Sequence, residues 1–309
     1  MEPAIKLESL TKRYSFKILA LKGISMEIEH GACVGFLGPN GAGKSTTIKI
    51  LTGLIRPTNG KAYLNGKDIL LNKKEALSDV GCVVETPDFY TYLTPIDTLT
   101  YLGKIRGVDD LDARIEEILK LVKLEDWADT RVGSFSKGMK QRLGIGQALL
   151  HDPRLIILDE PSSGLDPKGM AEVRDIILRL KREGKTLFIS SHMLSEIQQT
   201  ADKVALINKG EILAYDTVDA LGKKYFTVRE VTVETTDPVS ETQLHTVESM
   251  AMVRAVTVEN GTRLLIRFEG ECDECRYDLL RGLFDAGIKV TSFVPKGLAL
   301  ESVYMEMIK

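Results

Sequence analysis

Gly38-Pro39-Asn40-Gly41-Ala42-Gly43-Lys44-Ser45 matches the pattern G-x-x-x-x-G-K-[ST] at every fixed position, and the rest of the chain is read outward from it. The glycines let the backbone curl so that successive N–H groups point into one concavity, and a helix opening at Lys44 adds the positive end of its dipole. Such a loop binds phosphate. Lys44 is placed to reach the β- and γ-phosphates, and the Ser45 hydroxyl is placed to ligate the Mg²⁺ that bridges them. On either side, Ala32-Cys33-Val34-Gly35-Phe36-Leu37 reads as a short buried strand and Lys44 to Leu51 as a helix closed by Gly53. Strand, loop and helix in that order are the context the motif requires.

A chain of 309 residues has room for about two domains, and 43% apolar with 28% charged residues is the composition of a globular protein. The net charge of -3, from 41 basic and 44 acidic residues, supplies no field that would draw in DNA or an acidic membrane, so nucleic acid is not an expected partner. No apolar run approaches the ~18 residues of a spanning helix, and Met1-Glu2-Pro3-Ala4 lacks the start of a secretory signal. The expectation is a cytoplasmic protein. Cys272 and Cys275 form a C-x-x-C pair with no second pair and no nearby H-x-x-x-H to complete a zinc tetrahedron, so these two, Cys33 and Cys82 are read as reduced thiols.

Ala4 to Ser9 alternates like a strand, leads through Thr11-Lys12-Arg13-Tyr14, and is followed by a second strand around Gly23 to Ile28. The Tyr14 ring is far enough upstream of the loop to come back over a nucleotide and stack on a purine. After the P-loop helix, Pro57-Thr58-Asn59-Gly60 is expected as a turn, Asn65-Gly66 as a tight hairpin, and Val80 to Val84 as a strand ending at Glu85. From Thr86 to about Leu150 the pattern turns helical, with Thr94 capping a helix that has Pro95 in its first turn, and apolar residues at helical spacing from Leu111 to Val122. Ser136-Lys137-Gly138-Met139 opens the last helix of this insertion. A helix start of that kind presents free N–H groups to an anion, but taken alone the residues favour Ser136 as an ordinary N-cap.

Arg154 to Glu160 reads as a buried parallel strand that ends in two carboxylates. Ligands of parallel sheets collect at strand C-terminal ends, which brings Asp159 and Glu160 beside the phosphates. Asp159 would hold Mg²⁺, and Glu160, pointing the other way, would polarise a water for attack on the γ-phosphate. Ser162 to Pro167 is a turn into a helix through Arg182; Thr186 to Ser190 is a further buried strand, and His192, just past its end, can hydrogen-bond the γ-phosphate or its attacking water. Two more strands, Lys203 to Asn208 and Glu211 to Ala214, finish this part.

From Ala4 to Leu221 the chain resembles the ATP-binding subunit of ABC transporters, on the order of its motifs. The resemblance assigns an aromatic stacking residue at Tyr14, a Walker A motif over Gly38 to Thr46, a signature at Ser136 to Met139, a Walker B motif at Leu155 to Asp159 with catalytic Glu160, a D-loop at Ser163 to Asp166 and a switch histidine at His192. It implies a P-loop α/β core with a helical insertion, and ATP with Mg²⁺ as cofactors. ATP contacts would come from Tyr14, Gly38, Asn40, Gly41, Gly43, Lys44, Ser45 and Thr46, and metal contacts from Ser45, Asp159 and Glu85. In such proteins two ATPase subunits, a homodimer or an unlike pair, sandwich two ATPs, so that Ser136, Gly138 and Asp166 serve the nucleotide of the other subunit. The implied partner is an integral-membrane permease near Thr86 to Tyr92, which would hold the chain at the cytoplasmic face of the membrane. Two positions depart from the family pattern. The signature, usually L-S-G-G-Q, is Phe135-Ser136-Lys137-Gly138-Met139, and Glu85 stands where a glutamine is usual; as a catalytic residue its carboxylate can ligate Mg²⁺ or orient water, while it adds negative charge near the γ-phosphate.

Val228 to Lys309 restarts with its own rhythm: a strand to Thr235, a helix near Glu241 to Met250, strands on both sides of Asn260-Gly261, a helix from Glu271 to Ala286 and a strand Ile288 to Val294. The order β-α-β-β-α-β is that of a small ferredoxin-like domain, expected to have a structural or dimer-stabilising role. The ending Leu300-Glu301-Ser302-Val303-Tyr304 is similar to that of exporter subunits, which points to export. A soluble ABC-type ATPase acting on ribosomes or DNA is the other reading; it usually carries two cassettes or a long coiled coil, and this chain has one P-loop and no sustained heptads.

Overall fold

In the computed structural model, which describes residues 2–218, 220–221, 228–269 and 273–295, alternating apolar positions form β1 (Ile5–Arg13) and β2 (Leu19–Ile28), paired antiparallel. β3 (Cys33–Leu37) buries all five residues and feeds the phosphate loop into α1 (Lys44–Leu51). β4 (Asn59–Leu64) and β5 (Lys67–Asp68) meet at Asn65-Gly66, both with positive φ as a tight hairpin requires. Asn59-Gly60, expected in a turn, instead opens β4. Gly60, at φ 84°, lies against a register shift between Glu8 and Thr11 of β1, where the carbonyls of Glu8 and Ser9 leave no room for a side chain.

The chain continues through α2 (Lys73–Leu77) and β6 (Val80–Val83) into the helical insertion of α3 (Pro95–Arg106), α4 (Leu111–Leu121) and α5 (Lys137–Leu149). It returns as β7 (Leu155–Asp159), α6 (Pro167–Arg182), β8 (Thr186–Ser191), α7 (Leu194–Thr200), β9 (Lys203–Asn208) and β10 (Glu211–Thr217). Two sheets result: an antiparallel one in the order β2-β1-β4-β5 and a larger one in the order β10-β9-β3-β8-β7-β6. The larger sheet is parallel from β9 to β6, with β10 antiparallel at its edge. β3, β7 and β8 are buried throughout, as strands covered on both faces must be. Leu37 pairs with Ser191 and Asp159 with Ser190, so the phosphate loop, Glu160 and His192 all leave the sheet at one edge.

Each helix of the insertion is pinned by specific bonds. Thr94 and Asp97 cap each other reciprocally at the start of α3, with Pro95 in the first turn. The buried Arg142 of α5 donates to the carbonyls of Val122 and Lys123 at 2.7 and 2.6 Å, while Glu172 of α6 balances its charge at 3.2 Å. Gly144 of α5 faces Pro87, so the segment after β6 lies directly on that helix.

The chain divides into Met1–Val218 and Asp219–Lys309, each with its own apolar core. The second unit contains β11 (Val228–Thr235), α8 (Glu241–Glu248), β12 (Val253–Glu259), β13 (Arg263–Glu269), α9 (Asp273–Asp285) and β14 (Val290–Pro295). Its sheet runs β12-β13-β11-β14, antiparallel throughout, which is the ferredoxin-like order. Val231, Val233, Leu264, Ile266 and Phe268 of the sheet pack with Leu279 and Leu283 of α9. Ser240 and Gln243 form a capping box that starts α8, which ends at Glu248, before the expected Met250. Cys272 and the segment Leu300 to Tyr304 lie outside the described residues. Among the described residues no helix is long and apolar enough to cross a membrane.

Candidate functional site

Gly43, the residue before α1, has φ 112°, and a Cβ there would lie 2.7 Å from Leu21 Cδ2 and 2.9 Å from the Ala20 carbonyl oxygen. Only glycine lets β2 approach the loop this closely. No side chain caps α1 and no acidic residue stands in its first turn, so the N–H groups there are left for an anion. Lys44, 4% exposed, donates to the carbonyls of Gly38 at 2.8 Å and Pro39 at 3.2 Å and pairs with Glu160 Oε1 at 3.1 Å. A cation buried this deeply needs an anionic partner, and within the chain that partner is Glu160.

Glu160 leaves β7 with a left-handed backbone, φ 45°. The turn, rather than alternation along the strand, therefore sets the direction of its carboxylate. Its second oxygen lies 2.8 Å from His192 Nδ1. Burial alone would push the Glu160 carboxyl up, but the hydrogen bond and charge of Lys44, then those of His192, outweigh it and hold the group below its ordinary value. Ser190, at the end of β8, joins the two carboxylate positions: its hydroxyl donates to Asp159 Oδ1 at 2.5 Å and accepts from the Glu160 N–H at 2.9 Å.

Tyr14 stands over the start of α1, half-exposed, with its hydroxyl 3.4 Å from Thr46 Oγ1 and Lys12 Nζ 5.2 Å from its ring centre. Glu85, just past β6, pairs with Lys49 of α1 at 2.5 Å. Ser136, Gly138 and Asp166 form a separate group. Ser136 caps α5 by accepting from the Met139 N–H, Asp166 caps α6 by accepting from the Gly169 N–H, and Lys137 Nζ ties the two together through the Ser163 carbonyl at 2.8 Å. The same Ser163 donates its N–H to the Glu160 carbonyl at 3.0 Å, so the turn that carries this group begins at Glu160.

The family model for ABC transporters matches residues 21–163. The bacitracin transport ATP-binding protein BcrA of Bacillus licheniformis is 46% identical over 225 residues, covering 72% of this chain and 73% of that protein. BcrA of Enterococcus faecalis is 35% identical over 309 residues, covering 100% of this chain and 97% of that protein. This chain belongs to the ABC transporter family as an ATP-binding subunit. Solved structures agree with that placement. CbiO1 from Clostridium perfringens, described as part of the ABC transporter complex cbiONQ, superposes with a TM-score of 0.64 at 28% identity, over 70% of this chain and 89% of that one. A dimeric ATP-binding cassette in a post-hydrolysis state, bound to ADP and Pi, superposes with a TM-score of 0.63 at 26% identity, over 69% of this chain and 98% of that one. The ABC subunit is an α/β P-loop ATPase that binds and hydrolyses ATP.

Two side chains of the subunit that carry contacts at this site, Ser190 and Lys49, belong to no motif and gain their partners only when strands and helices meet. Lys137 was read only as part of an altered signature, and its bond to the Ser163 carbonyl appears only in the folded chain. The i, i+4 spacing of Lys49 from Ser45 was the one available signal, since it puts both on one face of α1. Among the described residues no group of three or more His, Cys, Asp or Glu is arranged to hold a metal ion. The hydroxyl of Ser45 and the carboxylates of Asp159 and Glu85 are nevertheless hard oxygen donors that suit Mg²⁺, an ion commonly held by one or two protein ligands and completed by nucleotide phosphates.

Proposed function

We propose that this subunit drives export through a membrane permease by ATP-dependent closure of two cassettes, with Mg²⁺ bound at Ser45, Asp159 and Glu85. The observation that carries the reading is the chain of contacts Lys44–Glu160–His192 at the edge of the parallel sheet. Triphosphate arriving on the P-loop competes with Glu160 for the Lys44 ammonium. The carboxylate so released, still hydrogen-bonded to His192, is free to accept a proton from a water attacking the γ-phosphate. Mg²⁺, when bound, would neutralise charge developing on the phosphates. Tyr14 would stack on the base, and Gly38, Asn40, Gly41, Gly43 and Thr46 would line the phosphates. Ser136, Gly138 and Asp166 would reach the nucleotide of the opposite cassette, across an interface that the dimeric relative makes plausible in kind.

The permease contact is supported by two features of the insertion. Tyr90 and Tyr92 are exposed with their rings 5.7 Å apart. In the same insertion, a groove of about 270 Å³ is lined by Ile96, Ile115 and Leu119 together with the exposed carboxylates of Asp112, Glu116 and Glu125, of which Glu116 pairs with Lys120. Apolar and acidic groups together suit the Lys- and Arg-rich cytoplasmic loops of membrane proteins. That contact would place the subunit at the cytoplasmic face of the membrane. The two BcrA relatives favour bacitracin as the cargo. The test is Glu160→Gln: the amide keeps the shape but cannot take the proton, so hydrolysis is lost and an ATP-bound dimer accumulates. A variant that stays monomeric by size measurement at saturating ATP and Mg²⁺ would count against the sandwich mechanism.

A further inference from the structure

Glu85 carries a left-handed backbone, φ 63°, a conformation disfavoured for any residue with a Cβ. Its carboxylate meets α1, where Lys49 Nζ lies 2.5 Å from Glu85 Oε1. Lys49 follows Ser45 by one helical turn, so the cation shares a helix face with a hydroxyl placed to ligate Mg²⁺. Tyr14 and Asp159 also act on Lys49 electrostatically, so it stands among the candidate base-stacking and metal-binding groups. An amide at position 85 would need no counter-ion. A carboxylate does, because unpaired it would repel the phosphates.

We propose that Lys49 is a positioning residue for Glu85: the ion pair neutralises the carboxylate and holds it beside α1 until Mg²⁺ competes for it, and the pair thereby sets the Mg²⁺ requirement for loading nucleotide. This rests on the reading of the P-loop as an ATP site and of Glu85 as a metal ligand. Two consequences separate it from a merely structural salt bridge. Removing Lys49 leaves a bare carboxylate facing the phosphates, which weakens metal-free binding. The same carboxylate, no longer engaged, takes Mg²⁺ more readily.

The experiment titrates a fluorescent ATP analogue into the full chain, in EDTA and over a series of Mg²⁺ concentrations, for wild type, Lys49→Met, Lys49→Arg, Glu85→Gln and the Lys49→Met/Glu85→Gln double variant. Both partners are partly exposed and screened, so the expected changes are about three- to fivefold. In EDTA, Lys49→Met binds more weakly by that factor, its half-saturating Mg²⁺ falls by a similar one, Lys49→Arg behaves as wild type, and the double variant regains metal-free binding. Lys49→Gln, which keeps much of the aliphatic stem, substitutes if Lys49→Met fails to fold. An unchanged Mg²⁺ dependence in Lys49→Met, or additive effects of the two single variants, overturns the proposal. Lys44→Ala is the control on the underlying reading. If it binds as wild type does, the P-loop assignment falls and the proposal with it; if it loses binding while Lys49→Met leaves Mg²⁺ dependence unchanged, only the role of Lys49 falls.

Discussion

Lys44 shows how a local motif and a distant partner divide the work at a single residue. Its place after Gly43 makes it a phosphate ligand, while its burial is tolerated because two loop carbonyls and Glu160 surround the ammonium. Lys44→Ala is expected to weaken nucleotide binding by about tenfold or more, since a hydrogen bond to a charged group is worth about 1.5–3 kcal/mol. Equilibrium titration with a fluorescent ATP analogue measures this, and a variant that lowered only the rate of hydrolysis would contradict the assignment. Cys33 is a second residue whose chemistry follows from its surroundings. Burial in β3 pushes its thiol up to about 12; the charge of Lys181 works weakly against this and that of Asp202 adds weakly to it. At pH 8 it therefore stays protonated and unreactive. Iodoacetamide followed by mass spectrometry should leave Cys33 unlabelled in the native protein and label it after denaturation.

At the scale of elements, capping and close approach decide more than propensity. Thr94 as the cap of α3 was legible, because a threonine directly before a proline is a local helix-start pattern; the return bond from Asp97, which completes a capping box, was added by the structure. Thr94→Ala should cost about 1 kcal/mol in thermal unfolding. The seat of α5 was not legible. A Cβ on Gly144 would lie 2.7 and 2.8 Å from two atoms of the Pro87 ring, and that ring belongs to a segment far earlier in the chain. Gly144→Ala should therefore cost about 1–3 kcal/mol through overpacking, despite the better helix propensity of alanine. A variant with a raised melting temperature would show that the Pro87 segment yields freely. α2 and α7 escaped the sequence reading for a plainer reason: with 5 and 7 residues they are too short to display a helical period.

For the whole molecule, the two separate cores make a direct prediction. Truncation after Leu221 should leave a soluble protein that still binds nucleotide, because every strand of the two sheets carrying the P-loop is retained. If the second unit helps pair the subunits, the truncated chain should dimerise more weakly, most of all without ATP, since a second contact raises the effective concentration of the two ATPase faces. Sedimentation over a concentration series, with and without ATP, compares the two chains. Equal dimer affinity would reject a role in dimerisation.

The sequence by itself determined the phosphate loop, the strand and helix around it, the order of the larger elements and the family, since these depend on glycine backbones, hydrophobic period and motif spacing, all local in the chain. Even so, it placed Asn59-Gly60 in a turn, because a glycine serving a bulge against a neighbouring strand looks the same in sequence as one serving a bend. Only the tertiary structure decided which charges meet. Asp159 is gripped by Ser190, 31 positions away, and Glu160 by His192, 32 positions away. Lys44 is matched to Glu160, and Glu85 to Lys49. The reason is physical: strand pairing carries side chains from distant segments to one sheet edge, and a charge is stabilised by whichever opposite charge burial brings within reach, not by its neighbours in sequence.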